Sequence, residues 1–242
     1  MWKIVGALRL GLSVVMVVIG LIACSFSSMM SRRVFFFLAH LWHRTLLWII
    51  GIKPEYPEND IVEGSLLIGN HVSWADILVV GARWPVVFLA KKEIASWPVL
   101  GWIIRGAGTL FIERGKGASK ALGEISETLK KGQTVLVFPE GRTSDGAGVL
   151  RFQPRLLQAA IDAGQVVQSF ALMYSDSDGF RQERITYAGN VSFMGSFWRT
   201  VAGPSTNATV ILSAVEHTGI DRQEIAVASE KWVQEQIESK FG

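Results

Sequence analysis

Residues 65–81 read SLLIGNHVSWADILVVG, and this stretch decides the fold. Ser65–Ile68 is a short apolar run of strand length. The polar turn Gly69-Asn70-His71-Val72-Ser73 follows, and the pattern from Trp74 to Gly81 is helical. A strand that opens through a polar turn into a helix is the repeating unit of an α/β domain. In such domains polar ligands gather at the carboxyl ends of the strands.

Working outward, the same alternation continues for about 190 residues. Apolar runs predict strands at Ser65–Ile68, Val86–Leu89, Thr109–Ile112, Thr134–Phe138, Val167–Met173, Arg184–Ala188 and Thr209–Ala214. Helical spacing predicts Trp74–Gly81, Pro98–Gly106, Ser119–Lys131, Pro154–Ala163, Ser196–Val201 and Arg222–Phe241. Asp221 is placed to cap the last of these. The expected class is α/β, a mixed sheet flanked by helices, with an N-terminal membrane-embedded helical segment. The turn-rich stretch 54–60, PEYPEND, divides membrane-anchoring helices over 1–53 from a soluble domain over 54–242.

The charge of the 242-residue chain is unevenly spread. Lys3, Arg9, Arg32, Arg33, Arg44 and Lys53 are the charged residues before Glu55, while the remaining 189 residues carry 18 basic and 21 acidic side chains. The basic excess thus coincides with the most apolar part of the chain. It fits an anionic membrane surface, and no nucleic acid is expected as a partner. Leu10 to Ser31 is uncharged, and as a helix it would reach about 33 Å, roughly a hydrocarbon thickness. No small-x-small cleavage site follows it, so it reads as a retained segment and not as a signal peptide. If the run spans, the basic residues after it put the body of the protein on the cytoplasmic side. Val34–Ile52 holds His40, His43 and Arg44, expected to share a wetter face of an interfacial helix. Either this pair crosses and lies on the bilayer or it forms a hairpin in one leaflet. Six of nine Trp residues fall between 42 and 102, which also points this part toward a membrane. The single cysteine, Cys24, excludes an internal disulfide framework, and no metal is implied.

There is no G-x-S-x-G, Walker A, H-E-x-x-H or dinucleotide fingerprint. Three other clusters carry chemistry. His71 and Asp76 are five apart, about 140° out of phase on one helix, so they can meet only if His71 sits in the turn before it. Asp76 would then fix the imidazole tautomer and leave the other nitrogen as a base. Phe138-Pro139-Glu140-Gly141-Arg142-Thr143-Ser144 follows a second strong strand and offers groups for a polar or phosphorylated ligand. Gly108-Thr109-Leu110-Phe111-Ile112-Glu113-Arg114 is an apolar strand ending in a possible phosphate ligand.

In this order the three clusters resemble the glycerophospholipid acyltransferase family, and within it the bacterial 1-acylglycerol-3-phosphate acyltransferases. Asn70, His71 and Asp76 match the N-H-x4-D block of that family. Gly108, Phe111 and Arg114 match its G-x-[hydrophobic]-F-[hydrophobic]-x-R block, and Phe138–Thr143 its F-P-E-G-[TR]-[RS] block. Residues 90–94, AKKEI, are similar too, and the likeness covers roughly 53–220. The fourth block, a hydrophobic strand with a proline, is met only in part, because residues 166–172 lack the proline.

The resemblance implies acyl transfer from acyl-CoA or acyl-carrier protein to a lysophospholipid, 1-acylglycerol-3-phosphate giving phosphatidate, with no bound cofactor. It implies His71 as general base with Asp76 holding it, and substrate contacts from Asn70, Gly108, Arg114, Glu140, Gly141, Arg142 and Thr143. Ser73 is a neighbour, so no acyl-enzyme is expected. Lys91, Lys92 and Lys116 either meet the donor's phosphates or form a solvated face. A lyso-ornithine lipid or another lysophospholipid is the alternative acceptor. A thioesterase would use the same pair with water, but it has no need of two arginines set for phosphate.

Overall fold

The computed structural model describes residues 2–113, 118–216 and 221–242. Two helices come first, α1 (Trp2–Ser25) and α2 (Arg32–Ile50), joined by a 3-10 turn at Ser27–Met29. The strands are β1 (Ile52–Glu55), β2 (Leu66–Gly69), β3 (Val87–Lys91), β4 (Leu110–Ile112), β5 (Val135–Val137), β6 (Val167–Ser175) and β7 (Thr206–Glu216). Between them lie α3 (Asp76–Gly81), α4 (Leu100–Gly106), α5 (Ala118–Lys130), α6 (Gln158–Ala163) and α7 (Phe193–Val201), with α8 (Arg222–Phe241) last.

The strands form one mixed sheet in the order β1-β7-β6-β2-β5-β3-β4. The run from β6 to β4 is parallel, β7 is antiparallel to β6, and β1 is parallel to β7. The central strands are apolar without alternation because both faces are covered. Leu66 and Ile68 point into a core built with Ile125 and Leu129 of α5 and with Ile225, Val233 and Ile237 of α8. Leu67, one residue out of phase, points into the opposite core with α2, α3 and Val201 of α7. Sequence and structure agree on the mixed α/β class. The Asp221 cap is formed, its side chain accepting from Gln223 N.

Two expectations change. Arg184–Ala188 is no strand: Glu183–Ile185 is a 3-10 turn. The carbonyl of buried Ile185 accepts the hydroxyls of Ser73 and Ser196, so side chains there take the place of a strand neighbour. The second correction concerns α2. Its last two turns bury Leu46, Leu47, Ile49 and Ile50 in the domain core, and β1 joins the sheet directly after it. A division at residue 53 therefore cuts through a strand. His43 does not share a wet face with His40 and Arg44. It turns inward over Gly81, with a hydrogen bond between its Nδ1 and the Ala39 carbonyl (2.7 Å).

The α1–α2 hairpin lies along the domain. Near the start of α1 a Cβ on Gly6 would stand 3.0 Å from Ala202, and Arg9 Nη1 donates to the Gly203 carbonyl (2.9 Å) just past the end of α7. Near its end Cys24 packs on Gly106 of α4. Trp42 Nε1 donates to Met16 O (2.7 Å), binding α2 to α1. Val15, Ile19 and Ile22 remain exposed on the far side. Ile4–Ser25 is long and apolar enough to cross a membrane.

Candidate active site

The site is built at the carboxyl ends of the adjacent central strands β2 and β5. At the end of β2 the backbone runs very close to β6: a Cβ on Gly69 would lie 2.5 Å from the Phe170 carbonyl, so only glycine fits. Asn70 then turns its side chain onto the same strand. Its Nδ2 donates to Leu172 O (2.8 Å) and its Oδ1 accepts from Leu172 N (2.8 Å). Both ends of the amide are used, with no exposure, so Asn70 locks the turn to β6 and leaves nothing for a substrate.

His71 stands in the turn and Asp76 in the first turn of α3, the arrangement their spacing requires. His71 Nδ1 and Asp76 Oδ2 are 2.7 Å apart. The same Oδ2 accepts the N–H groups of Val72 (2.8 Å) and Ser73 (3.0 Å), and Oδ1 accepts the Tyr174 hydroxyl (2.7 Å). Asp76 is fully buried with four donors around it, so both of its oxygens are satisfied by the protein's own groups. An acceptor at Nδ1 selects the tautomer with the proton there, leaving the Nε2 lone pair open. The His71 side chain keeps 20% exposure, enough to be reached. Its ring stacks on Phe138, with centroids 4.0 Å apart and planes 9° apart.

The loop after β5 grips the His71 main chain from both sides. Glu140 Oε1 accepts from His71 N (3.0 Å), and Ser144 N donates to His71 O (2.7 Å). Gly141, at φ +69°, supplies the left-handed turn that brings Ser144 back. Thr143 Oγ1 donates to Tyr187 O, whose own N–H donates to Val72 O (3.0 Å). Glu140 is buried, and no hydrogen bond of ordinary length to its Oε2 is found among the described residues. Burial pushes its carboxyl up to about 8, with the Asp76 charge adding to the effect and the His71 and Leu150 N–H groups and Arg142 opposing it.

The seven expected substrate contacts thus divide. Asn70, Glu140 and Thr143 bind the protein's own backbone, and Gly141 shapes the loop. Arg142 is exposed on that loop and available to a ligand. Gly108 is not brought to the site. By strand register it lies level with the start of β2, three strands away, and its φ of +73° marks a turn. Arg114 and Lys116 lie outside the described residues. Lys92 pairs with Glu113 (3.1 Å). Ser73 Oγ is buried and donates to Ile185 O (2.7 Å), which leaves it no path to a substrate. No group of three or more metal-binding side chains occurs among the described residues.

Sequence reasoning gave no role to Tyr174 or to the Phe138 stack. It also missed the aromatic cluster beside the turn, in which Trp74 packs on Phe193 and Phe197, and Trp97 on Phe193. The signal for Tyr174 was present in principle: a tyrosine in a buried strand needs a partner for its hydroxyl. Nothing local points to Asp76, 98 residues earlier.

Residues 53–173 match the family model described as Acyltransferase. The lyso-ornithine lipid O-acyltransferase of Pseudomonas aeruginosa is 34% identical over 190 residues, covering 75% of this chain and 73% of that protein. The 1-acyl-sn-glycerol-3-phosphate acyltransferase of Neisseria gonorrhoeae is 44% identical over 155 residues, covering 63% of this chain and 60% of that protein. Among solved structures, the 1-acyl-sn-glycerophosphate acyltransferase of Thermotoga maritima superposes with a TM-score of 0.71 at 20% identity. The match spans 99% of this chain and 97% of that one, a likeness of fold.

Proposed function

Because the chain belongs to the acyltransferase family, we propose that it esterifies the free hydroxyl of a lysophospholipid with a fatty acyl group taken from a thioester. The acceptor is 1-acylglycerol-3-phosphate and the product phosphatidate; the donor is acyl-CoA or acyl-carrier protein. The observation that carries this reading is the buried Asp76 carboxylate on Nδ1 of a histidine whose Nε2 is open.

An alcohol at neutral pH is a poor nucleophile, so its proton must leave as its oxygen attacks. His71 Nε2 takes that proton while the hydroxyl oxygen bonds to the thioester carbonyl carbon. Asp76 stabilises the imidazolium that results. When the tetrahedral intermediate collapses, the carbon–sulfur bond breaks and the imidazolium returns its proton to the departing thiolate. The products are an ester and a thiol, and the base is restored. No acyl-enzyme is needed, in keeping with the buried Ser73. Arg142, together with Arg114, is assigned to the acceptor's phosphate, a task suited to guanidinium.

The apolar hairpin would hold the enzyme at the bacterial inner membrane, where the acceptor resides. The basic residues after α1 support a location of the domain on the cytoplasmic face. A lyso-ornithine lipid is the second candidate acceptor, on the strength of the Pseudomonas relative.

The test is a panel of lysolipids, 1-acylglycerol-3-phosphate and lyso-ornithine lipid among them, each offered with acyl-CoA and with acyl-carrier protein. Wild type and His71→Ala are compared. Transfer to 1-acylglycerol-3-phosphate that vanishes in the variant supports the reading. Thioester cleavage at equal rates with and without acceptor would identify a thioesterase instead.

A further inference from the structure

We propose that Tyr174 is a positioning residue for the His71–Asp76 pair, setting through its hydroxyl how strongly Asp76 holds the His71 proton. This rests on the proposed function for its catalytic meaning, and on geometry alone for its physical content.

The two carboxylate oxygens of Asp76 have separate tasks. Oδ2 takes His71 Nδ1 and the N–H groups of Val72 and Ser73, all from the same turn. Oδ1 takes the Tyr174 hydroxyl at 2.7 Å, from the far end of β6. Tyr174 is 3% exposed, and it lies on the same face of β6 as Phe170 and Leu172, whose side chains fill the core under the turn. Its ring is therefore fixed by packing, and the hydroxyl has no water to choose instead. Burial and the neighbouring Asp76 charge hold the phenol well above its ordinary range, so it remains a donor at any working pH.

A donor on Oδ1 withdraws charge from the carboxylate and weakens its pull on the Nδ1 proton. Without that donor, Asp76 would stabilise the imidazolium more. The base would then stay protonated to higher pH and return its proton less readily. The other ionisable groups facing the pair are Glu140, whose carboxyl feels the Asp76 charge, and Arg142, which acts on Glu140. Behind Tyr174 stands Tyr56, with Arg44 and Arg83 near it. None of these others is hydrogen-bonded to Asp76.

The experiment uses the full chain in micelles, comparing wild type with Tyr174→Phe. The titration of His71 is followed by 15N resonance, alongside the pH profile of acyl transfer. The expected result is an upward move of the His71 midpoint by roughly 0.5 pH unit, about threefold in proton affinity, with the acid limb of kcat/KM following it. In the plateau kcat falls by roughly tenfold with KM little changed. A loss of activity with an unmoved midpoint would show that Tyr174 only fills space, and would overturn the proposal, as would an unchanged variant. Should Tyr174→Phe fail to fold, 3-fluorotyrosine at the same position keeps the shape and donates more strongly. Its midpoint must move down, and any other result overturns the proposal. The resonance titration decides the matter even if no lysolipid is acylated, an outcome that would count against the proposed function alone.

Discussion

Glu140 and His71 are joined through the main chain: Glu140 Oε1 accepts the His71 N–H at 3.0 Å while the imidazole faces Asp76. The acidic residue of the second cluster is therefore part of the support under His71. Two loops that are 69 residues apart in the chain make one rigid turn.

Replacing His71 by Ala should reduce acyl transfer by about 10²–10⁴-fold, the usual worth of a positioned base. Asp76→Asn should cost a comparable factor by presenting the wrong tautomer. Circular dichroism and melting temperature must stay near wild type for the His71 variant. A His71→Ala enzyme with most of its activity would remove the base assignment.

Glu140 gives a pH dependence of stability. Its carboxyl, raised to about 8 from an ordinary 4.5, keeps in the folded chain a proton that the unfolded chain releases earlier. The neutral form's contribution is full below about pH 4.5 and is lost as pH rises through 8. Glu140→Gln retains an acceptor for His71 N without a titrating group, so the fall in melting temperature across that window should flatten. An unchanged slope would show that the carboxyl is ionised throughout.

Ser73→Ala should keep the rate within about threefold, because the hydroxyl is committed to the Ile185 carbonyl. The expected cost is ~1 kcal/mol of stability from the lost hydrogen bond. Collapse of activity to background, with trapping of an acyl group on wild-type protein only, would point to a covalent route.

Asn70→Ala would strand the N–H and C=O of Leu172, both buried, and should destabilise by about 2–5 kcal/mol. Protein that survives should show near-normal KM for the acceptor, since the buried Asn70 amide is engaged by Leu172 at both ends. A large rise in KM at unchanged melting temperature would restore it as a substrate ligand.

Val15 and Ile19 lie one turn apart on the exposed side of α1. Changing both to Asp should abolish co-sedimentation with phosphatidylglycerol vesicles, because each buried charge costs about 2.5–3.5 kcal/mol at depth. The soluble variant should keep its melting temperature. Undiminished vesicle binding would move the membrane contact elsewhere.

The strand–turn–helix reading of residues 65–81 placed both His71 and Asp76, because their five-residue spacing admits a single way to meet. The apolar runs of β2, β5 and β6 were legible for the reason that both faces are buried. Arg184–Ala188 misled because its apolar and β-branched residues satisfy strand propensity, whereas serine hydroxyls 11 and 112 residues away in the chain take the Ile185 carbonyl. Glu140 and Thr143 read as ligand groups because a sequence shows polarity but not the partner. Tyr174 stayed invisible since its contact spans 98 residues.

The Phe138 stack has a stereochemical consequence. With its ring held 9° from parallel to Phe138, His71 keeps a fixed plane, and the Nε2 lone pair lies in that plane. 1-Acylglycerol-3-phosphate has one free hydroxyl and its 2-acyl isomer has one on the neighbouring carbon; the two hardly differ in acidity, so a base of free orientation would not discriminate between the isomers. In the proposed reaction a base that accepts from a single bearing would, since only the isomer that presents its O–H along that line could react. Choice between isomers would then be a matter of angle, set by a phenyl ring outside the reaction.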